Sequence, residues 1–278
     1  MIVHAGKFSF TLNRPLIMGI VNVTPDSFSD GGEFLSHNAA IAHALQLAEE
    51  GADILDVGGE STRPGAEDIS VEEELRRVMP VVEALVAKNL PVSVDTQKPQ
   101  VMKEVLAVGA CMINDVNALQ ADGALEAIVA SAAAICLMHR QGTSKTMQLA
   151  PQYDDVVKEV KTFLLSRADA AMAAGIPHSR IVLDPGFGFG KTLTHNIALI
   201  NGLPEFFAAG FPILAGLSRK RMLGELTGRS PKDRLAASLT AAIIAVQNGA
   251  AIVRVHDVAA TKDALTILSA VAPFKERA

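Results

Sequence analysis

Eight short apolar runs, rich in β-branched residues, recur along the chain, and each ends on a polar side chain before a helical pattern begins. Residues 16–21 end in Asn22, 53–55 in Asp56, 92–94 in Asp95 and 112–113 in Asn114. Residues 135–138 end in His139, 181–183 in Asp184 and 213–217 in Ser218, while 252–253 run into Arg254 and His256. Continuous apolar runs are what parallel strands covered on both faces require. Eight of them alternating with helices predict a (β/α)8 TIM barrel, read here as a single domain over 1–278. In that fold the carboxyl ends of the strands converge on one pocket, so the polar endings are candidate site residues.

Residues 2–15 read as a short N-terminal β-hairpin that plugs the bottom of the barrel. Helices are expected over 39–50, 72–89, 99–108, 123–133, 153–174, 194–202, 232–248 and 258–271. Ser70 with Glu73 makes a capping box, and Ser230-Pro231 with Asp233 is a helix-start signal. Gly51, Gly109, Gly175 and Gly249 close helices just before the next strand. Three strand-end segments, 22–36, 58–70 and 186–194, are longer than a turn needs, and their Gly and Pro content predicts mobile lids.

The 278 residues fit one such barrel, and with 49% hydrophobic but only 4% aromatic residues the interior is aliphatic. A net charge of −5 argues against a general nucleic-acid binder, but not against a local anion site. Neither a signal-peptide pattern nor an apolar run of transmembrane length is seen, so the cytoplasm is the expected location, without membrane or nucleic-acid partners. Cys111 and Cys136 lie in or beside predicted strands without metal-ligand spacing; buried free thiols are expected, and no structural zinc.

Two glycine-rich segments follow the first two strands: NVTPDSFSDGG (22–32) and DVGGESTRPGA (56–66). Asn22 and Asp56 are oxygen donors suited to Mg²⁺ or to a hydrogen-bonding ligand, and Thr62 with Arg63 suits phosphate or carboxylate. Each segment alone is explained by turn chemistry; two on adjacent strand ends favour function. Asp95, Asn114 and Asp184 end the third, fourth and sixth strands; facing inward they would need partners, and mutual pairing or capping of the next helices would serve, but three polar ends at one level favour a heterocycle with several N–H donors. DPGFGFGKT (184–192) is no phosphate loop, because Pro185 stands where a glycine is needed and Lys191 breaks a GxGxxG pattern. Its glycines let backbone approach a flat ligand, with Phe187 or Phe189 exposed to stack. Ser218-Arg219-Lys220 and Arg254-Val255-His256 follow the seventh and eighth strands, where these barrels commonly hold phosphate. His256 alternates with Arg254 and so could face the same cavity; His37, His43, His178 and His195 read as solvated or helix-cap residues. Met138 and His139 fit a pocket floor and a core role about equally.

These segments, with VSVDT, INDV, LDPGFGFGK, GLSRK and VRVHD in that order, resemble the dihydropteroate synthase family of the folate pathway over essentially the whole chain. The resemblance implies condensation of dihydropterin-methyl diphosphate with 4-aminobenzoate, with Mg²⁺ as cofactor and sulfonamides as competitive ligands. It implies a pterin diphosphate site of Thr62, Asp95, Asn114, Met138, Asp184, Gly216, Lys220, Arg254 and His256. It places 4-aminobenzoate at Phe28, Thr62, Arg63, Pro64, Phe189, Ser218 and Lys220, and the metal at Asn22. Lys220, Asp95, Asp184, Arg63, Arg254 and His256 would carry catalysis.

The residue chemistry agrees: an aryl amine is nucleophilic without a strong base, so departure of the diphosphate is the hard step, and cations help it. Two rival readings share the barrel and the pterin set, a pterin-dependent methyltransferase and a catalytically silent pterin-binding protein. A third is an aldolase using Lys220 as a Schiff base. The cationic cluster and the two long segments favour the synthase. The seventh helix is apolar on more than one face. Leu235, Leu239, Ile243 and Val246 are expected toward the strands, and Ala236, Ala237, Ala241, Ile244 and Ala245 in a homodimer interface.

Overall fold

A computed structural model describes residues 1–23, 32–61, 65–143 and 146–272, with residues 32–36 given by their backbone alone. Strands β1 (Ile2–Ala5) and β2 (Phe8–Thr11) pair antiparallel in the expected hairpin. The parallel strands are β3 (Leu16–Asn22), β4 (Ile54–Gly58), β5 (Val92–Asp95), β6 (Met112–Asp115), β7 (Ala134–Met138), β8 (Ile181–Asp184), β9 (Leu214–Ala215) and β10 (Ile252–Val255). They form one eight-stranded sheet in which β10 pairs with β3. A parallel bridge from Leu183 to Ile213 joins β8 to the segment leading into β9, so the sheet curls into a barrel. The last junction is thin because Pro212 has no N–H to give and offers only its carbonyl to Leu183, at 2.9 Å.

Alternate strand residues go to opposite faces, as a period of two demands. Ile17, Val21, Leu55, Val57, Val92, Val94, Ile113 and Leu137 pack outward with helix residues such as Val78, Leu85 and Leu164. Leu16, Met18, Ile54, Met112, Cys136, Val182, Leu214 and Ile252 turn inward and meet Val3, Ala5 and Leu12 of the hairpin segment. The hairpin therefore seals the bottom, as expected. Both cysteines are free and buried. Two residues beyond Ile54, Met112, Cys136, Val182, Leu214 and Ile252, toward the carboxyl end, stand Asp56, Asn114, Met138, Asp184, Gly216 and Arg254.

The covering helices are α1 (Gly32–Glu50), α2 (Val71–Ala87), α3 (Pro99–Ala107), α4 (Ala124–Val129), α5 (Val156–Ala173), α6 (Leu193–Phe207), α7 (Arg221–Thr227), α8 (Leu235–Gln247) and α9 (Val258–Val271). Ser70 caps α2 by accepting the Glu73 N–H, but the Glu73 carboxylate turns to Arg76 and Arg77. A full capping box occurs at α6, between Thr192 and His195. Helix α7 was not expected from the sequence; it fills the connection after β9 and ends on Gly228, at φ +70°.

Helix α8 corrects the expected faces. Ser238, Ala241, Ala242, Ala245 and Val246 point inward, while Leu235 and Ile244 are exposed. The Ser238 hydroxyl accepts the Arg219 N–H and donates to the Arg234 carbonyl, which holds that face against the barrel top. Small residues there let the helix lie close.

Candidate active site

The inward ends of β4, β5, β6 and β10 meet in a charged cluster. Arg254 donates from Nε to Asp56 Oδ2 at 2.6 Å and from Nη2 to Asp95 Oδ2 at 2.9 Å. Asn114 donates from Nδ2 to the same Asp56 oxygen at 3.0 Å. Asp56, Asp95 and Asn114 are buried. Burial pushes Asp95 up to about 7; the Arg254 guanidinium pulls against that shift and the Asp56 charge adds to it. Between its carboxylate neighbours, Arg254 is held even more firmly protonated than an ordinary arginine.

On the opposite side, Asp184 accepts the Gly186 N–H at 2.7 Å and is raised by burial. The Lys220 ammonium lies 4.0 Å from the centroid of the Phe189 ring. Burial draws that lysine down to about 8, against the favourable charge of Asp184. Ser218 Oγ lies 3.0 Å from His256 Nδ1, joining the ends of the seventh and eighth barrel strands. The turn between Ser218 and Lys220 passes through Arg219 at φ +56°, a left-handed conformation that only a well-tethered residue sustains. Its tethers are Ser238 on its N–H, Arg234 on its carbonyl and a bidentate ion pair to Asp257.

Several acceptors in this cluster are buried without a hydrogen-bond partner among the described residues: Asp56 Oδ1, Asp95 Oδ1, Asn114 Oδ1 and Ser93 Oγ. Orphaned buried acceptors are costly, and a ligand bearing N–H donors removes the cost. Phe189, Met138 and the guanidinium face of Arg254 supply flat or soft surfaces nearby. The arrangement suits a planar, N–H-rich heterocycle with an anionic substituent reaching toward Lys220 and His256.

The segment 186–191 is tied down rather than left as a lid. Gln148 donates to the Gly188 carbonyl, Tyr153 to that of Gly190, and Asn196 accepts the Gly188 N–H. Lys191, expected only as a break in a motif, sends its buried ammonium to the His139 and Phe189 carbonyls and to His139 Nδ1 at 3.0 Å. Burial draws Lys191 down to about 7 and His139 to about 3, so His139 stays neutral. A Cβ on Gly186 would collide with the His139 carbonyl, which is why glycine stands there.

A family model described as pterin binding enzyme matches residues 18–256. The chain is 57% identical to the dihydropteroate synthase of Xanthomonas albilineans, solved with 4-aminobenzoic acid; the match covers 96% of each chain at a TM-score of 0.91. It is 48% identical to the Burkholderia cenocepacia enzyme complexed with 7,8-dihydropteroate, over 97% of this chain and 96% of that one, at a TM-score of 0.89. It is 46% identical to the Yersinia pestis enzyme in a sulfonamide drug complex, over 98% and 99%, at a TM-score of 0.93. The chain belongs to the dihydropteroate synthase family.

As a dihydropteroate synthase the chain is a transferase. Its barrel brings Asp95, Asn114, Met138, Asp184, Phe189, Gly216, Ser218, Lys220, Arg254 and His256 to the carboxyl ends of the strands, where the sequence put them. Asn22 sits half-buried at the end of β3. Phe28, Thr62, Arg63 and Pro64 lie outside the described residues. Phe187 does not stack in the site; it is a core residue, only 1% exposed, whereas Phe189 is half-buried with the Lys220 ammonium over its ring. His139 is likewise a core residue, edge-on to Phe163. Asp56, expected to face a metal or ligand, spends one oxygen on Arg254 and Asn114.

The sequence reading missed the Glu60–Lys98–Glu74 group. Lys98 bridges Glu60 at 2.8 Å and the fully buried Glu74 at 2.6 Å. Glu60 also accepts the Ile69 N–H, tying the two ends of the second long segment together. Its only sequence signal was a lysine beside Pro99 at a helix start.

Proposed function

We propose that this pocket condenses (7,8-dihydropterin-6-yl)methyl diphosphate with 4-aminobenzoate, releasing 7,8-dihydropteroate and diphosphate. The orphaned acceptors of Asp95 and Asn114 carry the reading, since they demand a ligand with several N–H donors in one plane. Asp95, Asn114 and Asp184 bind the pterin edge, Met138 and Gly216 leave room for the ring, and Arg254 stacks on it. The C–O bond to the diphosphate breaks first, and Arg63, Arg254 and His256 stabilise the charge that gathers on the leaving oxygen. The electron-rich pterin carries the resulting cation, with Asp95 and Asp184 in electrostatic support. The neutral aryl nitrogen then forms the C–N bond and loses its proton. Lys220 bridges the two subsites, and Phe28, Thr62, Pro64, Phe189 and Ser218 complete the 4-aminobenzoate pocket, which sulfonamides would enter competitively.

Among the described residues no group of three or more His, Cys, Asp or Glu side chains is placed to hold a metal ion. Asn22 offers a single amide oxygen at the barrel mouth. That donor set fits Mg²⁺ held mostly by substrate phosphate oxygens and water, with Asn22 as the protein ligand. When bound it supplies charge neutralisation on the departing diphosphate. The deciding experiment is a diphosphate-release assay with and without 4-aminobenzoate and Mg²⁺. Release that needs both supports the reading; none under any condition overturns it.

Arg63 belongs in this scheme to capture of the second substrate. Arg63→Ala will leave the affinity for a free dihydropterin nearly unchanged while raising the KM for 4-aminobenzoate and slowing turnover. Calorimetry showing an equal loss of free-pterin affinity would move Arg63 into the pterin pocket.

The chain works as a cytoplasmic homodimer in this proposal. No helix among the described residues is long and apolar enough to cross a membrane. Leu235 and Ile244 on α8 and Ile267 and Val271 on α9 are exposed at 43, 40, 67 and 76%. Apolar side chains on two packed outer helices suit burial against a second copy. Ala241 faces inward, so an arginine there would test packing and not assembly. Ile244→Arg will shift micromolar protein to monomer in sedimentation, with an unfolding midpoint that falls only by what loss of the partner removes; a dimer that persists removes α8 from the interface.

A further inference from the structure

We infer that Asp56 is a positioning residue for the pterin subsite, acting through Arg254 and Asn114. Its side chain is 0% exposed, at the inward middle of β4, and one of its oxygens takes both the Arg254 Nε and the Asn114 Nδ2 hydrogens. On the same strand the next inward position is Gly58, paired in register with Asp95. That glycine puts no side chain of β4 beyond Asp56 on the inward face; a Cβ there would meet only Asp95, 3.5 Å away.

Two consequences follow from acceptor chemistry. An ionised carboxylate only accepts, so Asn114 must turn its nitrogen to Asp56 and its oxygen away. The outward Oδ1 is buried and without a partner, so it is a pure acceptor aimed at a ligand N–H. Asp56 thereby decides which edge of a heterocycle Asn114 reads. The second consequence concerns Arg254. Asp56 and Asp95 grip its guanidinium by two separate nitrogens, which fixes the plane and leaves the faces open for stacking. An amide at position 56 would remove the charge and let the Asn114 amide flip, since it could donate as well as accept.

The inference rests on the pterin reading of the subsite, and its test separates the two. Asp56→Asn will bind a dihydropterin lacking the diphosphate at least about tenfold more weakly by calorimetry. Its KM for 4-aminobenzoate will stay within about twofold of wild type, because that subsite lies elsewhere. Should D56N not fold, Asp56→Glu, which keeps the charge but shifts it by one methylene, must show the same selective loss. In ligand-free melts, Arg254→Met will unfold below wild type, and adding D56N to it will raise the midpoint by removing an uncompensated buried charge. Dihydropterin affinity unchanged in the folded variant, or a double variant less stable than R254M, overturns the inference. Wild-type protein that binds no dihydropterin overturns the reaction instead, while the melts still report on the coupling.

Discussion

Arg254→Met will cost the protein both its pterin affinity and a large part of its stability, about 3–5 kcal/mol, the usual penalty for stranding buried charge. The guanidinium is what two buried carboxylates, Asp56 and Asp95, are paired with. Asp95 already stands at about 7 with the cation in place, and without it the carboxyl rises further. A carboxylate whose folded value lies above its ordinary 3.8 contributes stability that is whole below about 4 and lost as the pH rises through the folded value. Wild type shares that loss up to about pH 7, so the variant's extra deficit through Asp95 will grow as the pH rises past about 7 toward its higher value, and acid will partly restore it. Urea unfolding at pH 5 and pH 8 checks this: an equal deficit at both, or none, would show that Arg254 does not balance these charges.

Lys220→Met will do the reverse, cutting turnover by about 10²–10³-fold, as loss of a preorganised charge-stabilising donor does, while the unfolding midpoint moves little. The methionine keeps an apolar stem against Phe189. The ammonium it replaces is held in its charged form at a cost, since burial lowers it from 10.5 to about 8. Wild type thus gains stability as the pH rises from about 8 to 10.5, where folded and unfolded states both lose the proton, and the variant lacks that gain. Any advantage of the variant will be present below about pH 8 and vanish by about 10.5. Melts across that range, with single-turnover rates per folded molecule, decide it. A collapsed midpoint with surviving activity would make Lys220 a structural residue.

Much of the site was legible because polar residues at the ends of apolar runs have few other reasons to be there. Asp95, Asn114, Asp184, Ser218, Arg254 and His256 were found that way, and all stand at the barrel mouth. Helix ends were legible where the backbone needs glycine: Gly51, Gly109, Gly175 and Gly249 all have φ above +100°. What misled was any residue whose neighbours in space come from another element. Phe187 and Phe189 share one glycine-rich segment, yet one fills the core and the other faces Lys220. His139 follows the same strand-end rule as Asp184 but turns away to meet Lys191 and Phe163.

The alternation of barrel strands with helices, the number of those strands and the polar character of their carboxyl ends were determined by the sequence alone, because that alternation allows few architectures; α7 was not. Which face of each strand looks inward was decided only in three dimensions. A strand buried on both sides loses the polar–apolar alternation that would reveal its register. Closure of the sheet sets that parity. It put Asp56 and then Gly58 on the inward face, and it sent Asp115 outward to accept the Asn117 and Leu119 N–H groups of its own turn. The inward face of α8 was decided the same way, by a serine hydroxyl meeting a strained turn 19 residues earlier in the chain.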